Sequence, residues 1–163
     1  MEYSDRLDEC TDFSSVFNLI KEIVRMTINR GRAGLSLGMS ELPMFIGAYF
    51  SVGSNFIVIN KNLLKKVLAT EDKRLTNAYI FHILLHEYIH SLGYLDEKIT
   101  RQLTYAISAK VLGETHPATE MAKYGINHIF KHIGMVKHFQ PEKVSGTIEI
   151  IEDFERENMN YFG

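Results

Sequence analysis

Between residues 12 and 30 the apolar side chains Val16, Leu19, Ile20, Ile23 and Val24 recur every three or four positions. Lys21, Glu22 and Arg25 fall between them, so the spacing predicts an amphipathic helix with one buried stripe. Gly31 and Gly34 are placed to end it. The connector GRAGLSLGMSELP that follows reads as a flexible turn, because its glycines lack the spacing and context of a phosphate loop. The pattern then changes period. Residues 44–52 (MFIGAYFSV) and 56–60 (FIVIN) are aromatic and β-branched, which predicts strands, and the GSN between them marks a turn that pairs them as a hairpin. KNLLKKVLA predicts a short helix, and a long one runs from Lys73 to Leu92, capped near Thr70 or Asp72 and stopped by Gly93. Further helices fit 97–112, closed by Gly113, and 117–133, opened by Pro117. TIEII at 147–151 fits a last strand or part of a helix. Strands early and helices late predict an α+β domain, with a small mixed sheet packed on helices.

With 163 residues the chain is expected to form a single domain, with residues 1–11 and 153–163 as loose tails. The apolar fraction of 45% and charged fraction of 23% are those of an ordinary globular protein. A net charge of -2 offers no basic excess for nucleic acid or an anionic membrane, so neither is expected as a partner. The one cysteine, Cys10, excludes an internal disulfide and leaves His, Asp and Glu as the residues able to hold a metal. The acidic start MEYSDRLDECTDF lacks the order of a signal peptide, and no apolar run approaches the roughly 20 residues of a membrane span. The expectation is a cytoplasmic protein.

One stretch changes this picture, LLHEYIHSLGYLD at 84–96. His86 and His90 lie four apart on the long helix, so their imidazoles stack on one face and can take two neighbouring positions of a tetrahedral zinc. Glu87 follows the first histidine, about 100° round the helix, where a carboxylate reaches water at the metal without itself binding it. The chemistry attached to this H-E-x-x-H spacing is water acidified by zinc, with glutamate as general base. A catalytic zinc usually has three protein ligands. Asp96 is the leading candidate for the third: Gly93 lets the chain turn sharply and bring it back toward the metal. The alternative is that Asp96 caps the helix that follows, a role Asp fills well. Glu97, and more distantly Glu114, His116 and Glu120, are weaker ligand candidates.

HEYIHSLGYLD resembles the signature of the metzincin zinc metallopeptidases, and also that of the small single-domain minimal zincins of prokaryotes, where an acidic residue follows the glycine. The resemblance implies a zincin-like domain with Zn2+ held by His86, His90 and Asp96, Glu87 as general base, and a peptide or protein substrate received by an edge strand, for which 44–52 and 56–60 are candidates. It also implies a methionine beneath the zinc, for which Met121 and Met135 are available. A second resemblance is to the bacterial metal-dependent endoribonucleases of ribosomal RNA maturation, which share Gly93 and Tyr94 but usually have glycine where this chain has Glu87 and histidine where it has Asp96. A non-catalytic zinc-stabilised binding domain is the third alternative. Among the remaining histidines, His82 is too far along the helix to share one zinc with His90 and is expected to be a buried polar or supporting residue. His128 and His132 lack an intervening base and read as a helix face, and His116 reads as a loop residue. The side chains able to steady a transition state are Tyr94, Tyr124, Arg101 and His116.

Overall fold

The computed structural model describes residues 2–131 and 148–151. Helix α1 (Tyr3–Glu9) precedes α2 (Phe13–Ile28), whose start is fixed by a capping box in which the Asp12 carboxylate accepts from the Ser15 amide at 2.6 Å. The predicted stripe of α2 is buried, from Val16 to Val24. The helix ends earlier than its glycines suggest: Asn29 takes the left-handed conformation at φ 54° and serves as the C-terminal cap. Strands β1 (Ser36–Ser40), β2 (Ala48–Phe50) and β3 (Phe56–Asn60) follow, then helices α3 (Lys61–Leu68), α4 (Lys73–Ser91), α5 (Glu97–Leu112) and α6 (Pro117–Tyr124). A 3₁₀ turn, Ile126–His128, and strand β4 (Glu149–Ile151) complete the described elements.

The sheet order is β2-β3-β1-β4. β1 runs parallel to β3 and antiparallel to β4, and β2 pairs antiparallel with β3 as the expected hairpin. This is an α+β domain, as the sequence predicts. Three segments differ from expectation. The connector read as a flexible turn contains β1, an interior strand of the sheet. Its Gly38 has a packing reason, since a Cβ there would lie 2.6 Å from Ile148 Cγ2 on the β4 side. The amino-terminal residues read as a loose tail form α1, which buries Leu7 and is tied to α4 by Asn77. The helix predicted for 117–133 stops at Tyr124, because Gly125 adopts φ 95°. The tail at 153–163 lies outside the described residues.

Helix α4 runs through the core. Tyr79, Ile80, Phe81, Leu84, Leu85, Tyr88 and Ile89 are all fully buried, and Tyr88 meets Phe17 of α2 edge-to-face at 5.4 Å. Burial on several sides explains why its sequence is apolar over most of its circumference. His86 and His90 face the first turn of α5, where Glu97 lies. No described helix is long and apolar enough to cross a membrane.

Candidate metal centre

The end of α4 and the start of α5 make the centre. Leu92 closes α4, and Gly93, at φ 104°, sends the chain back on itself. Only this backbone conformation demands glycine, since a Cβ at Gly93 would meet nothing within 4 Å. The reversal has two consequences. It points the Tyr94 carbonyl at His90, whose Nδ1 donates to it at 2.7 Å. It also lays the first turn of α5 beside the two histidines. The predicted turn is therefore real, but the acid it delivers is Glu97 rather than Asp96. Asp96 is the N-cap of α5, its carboxylate accepting from the Ile99 amide at 2.9 Å. Of the two roles open to Asp96, the structure places it in the cap.

The Glu97 carboxylate lies 2.7 Å from His90 Nε2 and 3.3 Å from His86 Nε2. The three potential ligand atoms all fall within 4.8 Å of one another. Two ligands about 2.0–2.1 Å from a tetrahedral metal stand roughly 3.3 Å apart, so the His86–Glu97 separation fits as it is and the shorter His90 contact needs to open by about half an ångström. The donor chemistry also suits a metal. With Nδ1–H committed to Tyr94, the proton that His90 shares with Glu97 is on Nε2, and its loss would leave the bare Nε2 that a metal requires. Thr100 supports the same carbonyl, its hydroxyl 2.9 Å from Tyr94 O.

Charge follows this geometry. Hydrogen bonds from His86 and His90 hold the Glu97 carboxyl far below the usual carboxylate range. Burial opposes a proton on His90, but Glu97, Glu87 and the Tyr94 carbonyl outweigh it and raise its affinity for one. Glu87 is buried against the sheet, and burial pushes its carboxyl up to about 6, partly offset by His86, His90 and the Phe50 amide.

That last contact links the centre to the sheet. Asn60 donates to the Gly47 carbonyl at 2.9 Å, and Tyr49 stands opposite Val58. In an antiparallel ladder the alternate residues Ala48 and Phe50 then turn their amides and carbonyls away from β3. β2 is an edge of the sheet among the described residues, whereas β3 is interior, which removes 56–60 as a receiving strand.

A clasp that sequence reasoning missed secures the turn. Arg30 donates to the Leu92 carbonyl at 2.9 Å, and Arg32 to Ser91 O at 2.9 Å and Ser54 O at 3.0 Å. These guanidiniums satisfy the open carbonyls at the C-terminus of α4 and complement its dipole. The only signal in the sequence was the need of a buried helix end for donors.

The other candidates sit elsewhere. His82 lies one turn before His86 with ring centroids 6.5 Å apart, its Nδ1 sealed from solvent with no partner among the described residues. His116 is buried as the N-cap of α6, accepting from the Ala118 amide, with Asp8 at 3.3 Å. Glu114 accepts from the Tyr105 hydroxyl, and Glu120 stands 3.7 Å from His128. Met121 is buried on α6, while Met135 and His132 lie outside the described residues. No family model, curated protein or solved structure matches this chain.

Proposed function

We propose that the protein is a zinc-dependent peptidase, with His86, His90 and Glu97 as metal ligands and Glu87 as general base. The observation that carries this reading is the convergence of His86 Nε2, His90 Nε2 and the Glu97 carboxylate beside a buried carboxyl. Bound there, zinc would supply an acidified water and a polarised carbonyl. Glu87, buried beside the two histidines, would accept a proton from the water whose oxygen attacks the peptide carbonyl carbon. The same carboxyl then gives the proton to the amine nitrogen as the C–N bond breaks. Its burial favours the protonated state it must hold between the two transfers. The outward amide and carbonyl of Ala48 give an extended peptide a strand to pair with, and main-chain hydrogen bonds are not selective for sequence. The cytoplasm is the proposed location, supported by a free, buried thiol at Cys10.

The experiment is Glu87→Gln in zinc-loaded protein, with digestion of an unstructured peptide and of single-stranded RNA side by side. Zinc retained and peptide hydrolysis reduced by roughly 100-fold or more is the expected outcome. Undiminished hydrolysis overturns the assignment of the base. Cleavage of RNA without cleavage of peptide overturns the substrate class.

A further inference from the structure

Hydrolysis puts negative charge on the carbonyl oxygen of the scissile bond, and a donor from the protein at that oxygen accelerates it. Of the four side chains with suitable chemistry, three are committed elsewhere. His116 is the buried cap of α6. Tyr94 has its hydroxyl 3.4 Å from Arg30, whose guanidinium also lies over the Tyr94 ring. The Tyr124 ring packs 4.8 Å from that of His128 at the far end of α6.

Arg101 remains. It lies one turn along α5 from Glu97 and on the same face, with its Nε 3.7 Å from Glu97 Oε2. The opposite oxygen of that carboxylate is the one 2.7 Å from His90. The guanidinium therefore stands immediately outside the third ligand. The Arg101 side chain is 63% exposed, so it is free to move toward a bound molecule. Of its five N–H donors, only those facing Glu97 have a partner in ion-pair range among the described residues. Glu87 is buried beside the two histidines and hydrogen-bonded to the Phe50 backbone. A carbonyl at the centre would have this carboxyl and the Arg101 cation as neighbours of the same three residues. An ordinary surface pair of Glu and Arg four residues apart contributes only about 0.3–0.5 kcal/mol to a helix. This pair differs in that its acid is a metal ligand.

We infer that Arg101 donates to the scissile carbonyl oxygen of the substrate as that oxygen acquires charge. The inference rests on the peptidase reading above. It makes Arg101 a residue that touches the substrate and leaves the metal to its three ligands.

The test compares wild type, Arg101→Gln and Arg101→Lys as full-length, zinc-loaded protein. Three quantities are measured: zinc affinity, kcat and KM on a casein-derived peptide, and affinity for a phosphinic peptide whose anionic oxygen stands in for the charged carbonyl oxygen. The glutamine variant keeps its zinc affinity within about twofold and its KM within about threefold, while kcat falls roughly 100-fold. Phosphinic peptide binding weakens in parallel, and lysine restores part of both. Loss of zinc in proportion to activity overturns the inference, because Arg101 then only positions Glu97. Unchanged kcat and phosphinic affinity also overturn it. If wild type cleaves no peptide, the peptidase reading fails separately. The phosphinic titration then decides alone, and equal or absent binding by wild type and the glutamine variant rejects the role of Arg101.

Discussion

His82 makes the metal-free protein sensitive to mild acid, by an amount that follows from its burial. The residue is only partly buried as a whole, but its Nδ1 is sealed from solvent and has no partner among the described residues. Burial lowers its pKa to about 3, with His86 and Arg101 adding to the effect. In the unfolded chain the same ring titrates near 6.5. A folded-state pKa below the unfolded one means that the unfolded chain takes up the proton first as pH falls. The stability held by neutral His82 is therefore complete above about pH 6.5 and lost as pH falls toward 3. Between pH 7.5 and 5.0 the loss integrates to about 2 kcal/mol at 1.36 kcal/mol per pKa unit. The figure depends little on the folded value so long as that value stays below about 4. The perturbation is His82→Gln, which removes the titration and keeps a polar side chain. The assay is urea unfolding of metal-free wild type and variant at both pH values. The variant loses about 2 kcal/mol less than wild type between them. Parallel pH dependence in the two proteins would falsify the argument, whatever their absolute stabilities.

Two further outcomes follow from polar contacts that sequence alone does not reveal. Asn77 Nδ2 lies 3.0 Å from Leu7 O, 3.3 Å from Asp8 O and 2.8 Å from Cys10 O, so Asn77→Ala strips the end of α1 of its donor. It should cost about 2–3 kcal/mol in urea unfolding, and a change below 0.5 kcal/mol or so would show that the contact carries no weight. Arg32→Ala releases the Ser91 and Ser54 carbonyls together with the Phe50 ring, so amide hydrogen exchange should accelerate across 29–35 and 91–96. Unaltered protection there would mean that the clasp does not hold the turn.

The parts of the fold legible in the sequence are those written in local pattern. The stripe of α2, the hairpin of β2 and β3, and the limits of α4 and α5 follow from periodicity, caps and turn residues. β1 was hidden because SLGMS contains a glycine and sits among others, and what makes it a strand is pairing on both sides with β3 and β4. α1 was hidden because a single buried leucine gives no period, and its anchor, Asn77, is 70 residues away from Leu7. At the candidate centre the pairing of the two histidines and the reversal at Gly93 were legible. The choice between adjacent acids was not. Asp96 and Glu97 differ by one position, and a capping hydrogen bond to Ile99 settles which of them faces the histidines.

That choice is also where the account is most directly tested. Zinc is titrated into metal-free wild type, Asp96→Ala and Glu97→Ala, with stoichiometry and affinity read by calorimetry. One zinc per chain is expected in wild type and in Asp96→Ala, the latter less stable by about 1 kcal/mol through its lost helix cap. Glu97→Ala should bind at least tenfold more weakly, having lost a ligand. Full affinity in Glu97→Ala with loss of zinc from Asp96→Ala, or no zinc bound by wild type, would contradict it.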